Sequence, residues 1–127
     1  AEMWAYAAHA RRFLEENTPF WLMAPADDLL SGEAGDYGGG EVLALPGEVY
    51  AVYLPSAAQP ATLAAPDGDY ALRWYDPRTG EFIGPSLALS VAGGALPLGL
   101  PPGNTAGDWV ALVTAAAYAP LARPAYP

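Results

Sequence analysis

Residues 72–82, LRWYDPRTGEF, bring together aromatic and basic side chains that could bind a ligand. Exposed aromatic rings pack against the CH faces of sugars and against proline rings, and a guanidinium group donates several hydrogen bonds. Tyr75, Arg78 and Phe82 are therefore the candidate ligand contacts, with Arg73 beside them.

The same stretch also has the signature of a β-hairpin, which is the interpretation we favour. Asp76 can accept hydrogen bonds from nearby backbone N–H groups, Pro77 presets φ for the second turn position, and Gly80 can take a positive φ. A loop of this composition closes two antiparallel strands with a bulge at the glycine. In this interpretation Trp74 belongs to the core.

The residues before this loop alternate cleanly and predict which side chains are buried. Tyr70, Leu72 and Trp74 share one face of the predicted strand, and Tyr75 lies on the other. We expect the first three to be buried and Tyr75 to be more exposed.

The sequence shows no pair of residues that could act as nucleophile and general base. Nucleophilic catalysis requires a base beside the nucleophile, and the single histidine, His9, lies far in sequence from any serine candidate. There is no cysteine and no G-x-S-x-G motif, and a zinc site would need more His or Cys ligands. We expect no catalytic residue and no cofactor, with His9 exposed or at an interface.

The acidic residues before residue 42 raise two further hypotheses. Asp27 and Asp28 are adjacent, so they cannot readily flank a glycosidic bond as a catalytic pair. A calcium ion could be held by oxygen ligands from several acidic residues, namely Asp27, Asp28, Glu33, Asp36 and Glu41. Their spacing is not that of an EF-hand, and a solvated acidic loop without a metal is the favoured alternative.

The charge balance excludes some partners. Five basic residues against fourteen acidic ones give a net charge of -9, which repels nucleic acid and anionic membranes. No apolar run reaches the length of about 18 residues that a transmembrane helix needs. The absence of cysteine excludes disulfides and leaves the compartment open.

The elements that must position these residues begin with a helix over residues 1–18. Met3, Tyr6, Phe13 and Leu14 lie on a continuous apolar stripe with helical spacing. Residues 19–40 follow as an extended, buried connector and a glycine-rich loop, with Phe20, Trp21 and Met23 anchoring the connector. Residues 117–127 form a Pro-rich tail.

Residues 41–116 read as strands separated by turns. The predicted strands are EVLAL, EVYAVYL, ATLAA, DYALRWY, EFIG, SLALSVA and DWVALVTAAA. Both faces of EVYAVYL are apolar, which predicts a central strand covered on both sides. The fold class is therefore all-β, an antiparallel β-sandwich of about seven strands with an N-terminal α-helix.

Three stretches carry a resemblance to a known family. They are FLEENTPFWLMAPADDLL, then EVYAVYLPSAAQPATLAA with YALRWYDPRTGEF, and finally PPGNTAGDWVALV. In order and spacing, over roughly residues 10–114, they resemble the C-terminal region of bacterial proteins named as collagenases or glycoside hydrolases. In that family a (β/α)8-barrel glycosidase-like domain precedes a small β-sandwich named as a collagen-binding domain.

The resemblance implies a role as well as a fold. The helix over residues 1–18 looks like the last barrel helix, with Met3, Tyr6, Phe13, Leu14, Phe20 and Trp21 as interdomain packing residues. The resemblance implies a non-catalytic accessory domain of a secreted glycoside hydrolase, in contact with its catalytic barrel and extracellular or periplasmic. The alternative is an independent collagen- or carbohydrate-binding module, whose contacts with glycan or collagen would be Tyr75, Arg78 and Phe82. Without a barrel, the apolar face of the helix must pack on the sandwich, pack on a second copy of the chain, or remain exposed. We expect the helix to be held less firmly than the connector and to pair with a neighbouring molecule.

Overall fold

The computed structural model describes residues 8–32 and 39–120 as an antiparallel two-sheet β-sandwich with one N-terminal α-helix. The predicted fold class is confirmed, with nine strands in the described part of the chain where about seven were expected. Met3, Tyr6, Glu33 and Asp36 lie outside the described residues, as does the tail beyond residue 120.

Helix α1, Ala8–Asn17, ends where the sequence indicates. The Asn17 Nδ2 donates to the Phe13 carbonyl at 3.1 Å, and the Thr18 Oγ1 donates to the Leu14 carbonyl at 2.8 Å. The Leu14 carbonyl also accepts from the Thr18 backbone N–H at 3.1 Å, so the two side-chain bonds reinforce the last turn of the helix. Proline follows directly and cannot continue the helix.

Nine strands follow the helix. They are β1 (Ala24–Pro25), β2 (Leu30–Gly32), β3 (Glu41–Leu45), β4 (Val49–Leu54), β5 (Ala61–Ala64), β6 (Gly68–Asp76), β7 (Glu81–Val91), β8 (Ala95–Gly99) and β9 (Trp109–Ala115). Six of them form one sheet in the order β1-β3-β4-β9-β6-β7. The other three form a second, smaller sheet in the order β2-β5-β8. Every strand pair is antiparallel.

The main core lies between the two sheets. Alternate residues of the central strands point into it, as Tyr50, Val52 and Leu54 of β4 show. The small sheet contributes Leu63 and Leu96, which are fully or almost fully buried. The predicted burial of Trp74 with Tyr70 and Leu72 is confirmed, because all three belong to this core.

A second core lies on the outer face of the six-stranded sheet, beneath helix α1. Phe13 and Leu14 pack there against Val49, Ala51 and Leu112, which point away from the main core on strands β4 and β9. The prediction that β4 is covered on both sides is confirmed. Phe13 is 0% exposed and packs on the domain's own sheet, so the sandwich covers this part of the helix, whereas weaker holding of the helix and pairing with a second copy stay predictions.

The connector after the helix differs from the extended, buried segment that was predicted. Residues Phe20–Leu22 form a 3-10 turn, and Leu22 is 46% exposed. Phe20 and Met23 pack at the margin of the second core, as expected of anchors, whereas Trp21 is half-buried beside Phe20.

Two strand predictions need correction. The stretches EFIG and SLALSVA form one strand, β7, because a bulge around Gly84 lets the backbone continue through Pro85. Strands β1, β2 and β8 were not predicted, and each is short or contains proline or glycine. Among the described residues, no helix is both long and apolar enough to span a membrane.

Candidate functional site

The loop between β6 and β7 is the hairpin that the sequence predicts. The Asp76 carbonyl accepts from the Gly80 N–H at 2.8 Å, and the Asp76 Oδ1 accepts from the Arg78 N–H at 2.8 Å. Gly80 has a φ of 78°, which favours glycine. An added Cβ there would also lie 2.7 Å from the His9 ring, so both the backbone conformation and the space available favour glycine.

Tyr75 is not the exposed aromatic residue that was expected. Its side chain is only 3% exposed, because helix α1 covers the face of β6 that bears it. Its hydroxyl donates to the His9 carbonyl at 3.2 Å, and burial raises the pKa of the phenol. In this position Tyr75 ties the helix to the sheet, and its ring is not available as a platform for a ligand.

The other two candidate contacts have partners of their own, and Phe82 packs edge-on against Tyr75 with ring centroids 5.2 Å apart. Phe82 is half-buried, and the Arg73 guanidinium lies over its ring at 3.9 Å from the centroid. Arg78 is held by Asp76 at 2.9 Å and by Asp108 at 3.5 Å, and it lies over Trp109 at 5.3 Å. The structure therefore uses both basic side chains in packing, and ligand binding by Arg78 and Phe82 stays a prediction.

Asp108 links this hairpin to the end of β4. The Tyr53 hydroxyl donates to Asp108 Oδ2 at 3.2 Å. Burial and the negative charge of Asp108 raise the pKa of Tyr53 to about 12, so this phenol is a donor and not a base. Tyr53, Asp76, Arg78 and Asp108 thus form a structural clamp that joins strand β4, the β6–β7 hairpin and the segment before β9.

The charge of Asp76 is expected to contribute stability that depends on pH. Burial raises the pKa of this carboxyl, but the hydrogen bonds from the Arg78 side chain and backbone outweigh it and lower the pKa below its ordinary value. A lowered folded-state pKa means that the stabilisation is present above the unfolded pKa and is lost as pH falls through the folded value.

We expect Asp76→Ala to lower the free energy of unfolding by about 1.5 kcal/mol at pH 7, as for a hydrogen bond to a charged group. The difference from the wild type should shrink below about pH 4. Asp28→Ala, at an exposed carboxylate, is the control and should change stability by less than about 0.5 kcal/mol. Urea titrations across this pH range measure both, and a penalty that grows on acidification would contradict the assignment.

A groove that the sequence did not reveal lies at the end of helix α1. Its volume is about 490 Å³, and its lining comes from three separated parts of the chain. The lining residues are Glu15, Glu16, Asn17, Thr18, Pro19, Trp21, Val49, Thr114, Tyr118 and Pro120. The groove thus combines two aromatic rings with two carboxylates and a side-chain amide, which is a set suited to binding and not to nucleophilic attack.

No catalytic or metal site emerges in the described residues. His9 is half-buried against the hairpin, as an interfacial residue, and its Nδ1 lacks a hydrogen-bond partner among residues 8–32 and 39–120. Asp27 accepts from the Val42 N–H at 2.7 Å, which is a structural role. Over the same ranges, no three His, Cys, Asp or Glu side chains are grouped as a metal site would require.

Solved structures of glycoside hydrolases contain this fold. One described as a glycoside hydrolase matches 87% of this chain with a TM-score of 0.66 and 14% identity. A family 5 glycoside hydrolase from Bacteroides vulgatus ATCC 8482 matches 87% with a TM-score of 0.62 and 17% identity. This chain spans only 25% and 24% of the length of those chains.

At these identities the likeness shows the fold and not the activity. No family model matches the chain, and no curated protein matches it. The comparisons therefore show that a fold of this kind occurs as one part of those longer chains.

Proposed function

We propose that this chain is a non-catalytic accessory domain of a glycoside hydrolase, and that it supports the catalytic domain to which it is joined. The observation that carries the proposal is the pair of structural matches, which cover 87% of this chain but only about a quarter of each hydrolase. A region that makes up about a quarter of a hydrolase has the size expected of an additional domain. The resemblance of the sequence to a sandwich that follows a barrel points the same way.

The chain alone is expected to show no hydrolytic turnover. Among the described residues, His9 Nδ1 has no hydrogen-bond partner, so it is not paired with a nucleophile. The carboxylates of Asp76 and Asp108 both form ion pairs with Arg78, so they are not free to act as a glycosidase pair. Purified protein incubated with a panel of chromogenic glycosides and with gelatin should match the rate of a buffer blank. Turnover that co-elutes with the protein and persists through repurification would overturn the proposal.

The reading frame that encodes this chain provides the second test. A barrel with catalytic carboxylates, encoded in the same frame and upstream, is the expected finding. A frame without any catalytic domain would leave the second candidate, an independent module that binds carbohydrate or collagen. The groove with Trp21 and Tyr118 favours carbohydrate for that candidate.

A further inference from the structure

We infer that the groove at the end of helix α1 is a binding site for a neutral oligosaccharide. The inference rests on the proposed function, because it names the substrate contact that an accessory domain of a glycoside hydrolase would make. It differs from the site predicted at the hairpin, where Tyr75 is buried and Arg78 is held by two carboxylates.

The aromatic members of the groove are positioned by the fold. Trp21 lies on the 3-10 turn that follows α1, and the Phe20 ring packs edge-on against it with centroids 5.7 Å apart. Tyr118 lies in the turn after β9, where its N–H donates to the Ala115 carbonyl at 2.9 Å. Both side chains are half-buried, and both line the groove. Aromatic side chains in such positions can pack against the apolar faces of sugar rings.

The polar members supply hydrogen-bonding groups for sugar hydroxyls. Glu15, Glu16 and Asn17 are exposed at the last turn of α1. Carboxylates only accept hydrogen bonds, whereas an amide both donates and accepts, so the set can bind hydroxyl groups in either sense. One Asn17 Nδ2 bond already goes to the Phe13 carbonyl, which fixes the amide in place.

The charge of the groove disfavours an anionic ligand. No arginine is among the ten lining residues, and Arg11 and Arg12 lie one turn earlier on the helix, beside Glu15 and Glu16. The C-terminal end of a helix carries a partial negative charge, which adds to that of the two carboxylates. A polyanionic glycan would meet repulsion here, and a neutral one would not. The volume of about 490 Å³ is that of an ordinary ligand site.

The test uses the full chain and isothermal titration with cellohexaose, xylohexaose and mannohexaose, with oligogalacturonate as the anionic comparison. We expect binding of at least one neutral hexaose, little changed by salt, and none of oligogalacturonate. Trp21→Ala and Tyr118→Ala should each weaken that binding about tenfold. Leu22→Ala is the matched control, since Leu22 is the exposed neighbour of Trp21 but does not line the groove.

A second variant removes charge without removing volume, so that loss of folding cannot mimic loss of binding. Glu15→Gln with Glu16→Gln should weaken binding several-fold at unchanged melting temperature, whereas Glu81→Gln, at an exposed site on β7, should have no effect. No binding of any hexaose, equal binding of oligogalacturonate, or binding that survives both aromatic substitutions would each overturn the inference. Those outcomes leave the accessory-domain proposal intact, because that proposal is decided by the reading frame.

Discussion

Replacing Phe13 by alanine is expected to lower the free energy of unfolding by about 3–5 kcal/mol, the loss typical of a large aromatic residue in a core. Phe13 is fully buried, and its ring centroid lies 4.7 Å from that of Tyr75 and 6.0 Å from that of Phe82. Truncation leaves a cavity between the helix and the sheet, and it also removes the main apolar contact of α1.

Urea denaturation followed by tryptophan fluorescence measures this loss as a lower midpoint. Arg11→Ala is the matched control, because Arg11 lies on the exposed side of the same helix and alanine is a good helix former. It should change stability by less than about 0.5 kcal/mol. Equal midpoints for the Phe13 variant and the wild type would mean that the helix is an appendage and not part of the domain.

Trp74→Ala and Tyr75→Ala are the second pair with large expected effects, and both should cost about 3–5 kcal/mol. These neighbours in β6 point to opposite faces of the sheet, yet they are 2% and 3% exposed. Trp74 fills the core between the sheets, where it packs edge-on against Trp109 with centroids 6.3 Å apart. Tyr75 fills the core beneath the helix.

Tyr75→Phe separates the packing of this ring from its hydrogen bond. It retains the ring and removes only the bond to the His9 carbonyl, so it should cost about 1 kcal/mol. A Tyr75→Ala variant that unfolds at the same urea concentration as Tyr75→Phe would show that the helix does not cover this face.

Local pattern was sufficient to predict the central strands of the main sheet. The alternation of Tyr70, Leu72 and Trp74 assigned the core face of β6 correctly, and the run of apolar residues in β4 predicted cover on both sides. Strand β8 was missed because Pro97 and Gly99 suppress the strand signal in ALPLG. It forms because its pairing with β5 completes the small sheet.

The partner of the helix could have been inferred from the strands. Val49, Ala51 and Leu112 require an apolar cover on the outer face, and the stripe containing Phe13 is the one amphipathic helix predicted in this sequence. The prediction for Tyr75 was wrong for the same reason, because the face of β6 that bears it was assigned to solvent and not to the helix. The groove could not have been predicted, because residues 15–21, Val49 and 114–120 meet only in the folded chain.

The most direct test of the accessory-domain proposal is immunoprecipitation from the source cells with antibodies raised against this chain. The expected product is a single polypeptide several times heavier than the 13.2 kDa of this chain, in keeping with its span of about a quarter of the matched hydrolases. That polypeptide should hydrolyse a glycoside on which the isolated chain is inert. Recovery of a 13.2 kDa protein alone, without glycosidase activity, would contradict the proposal.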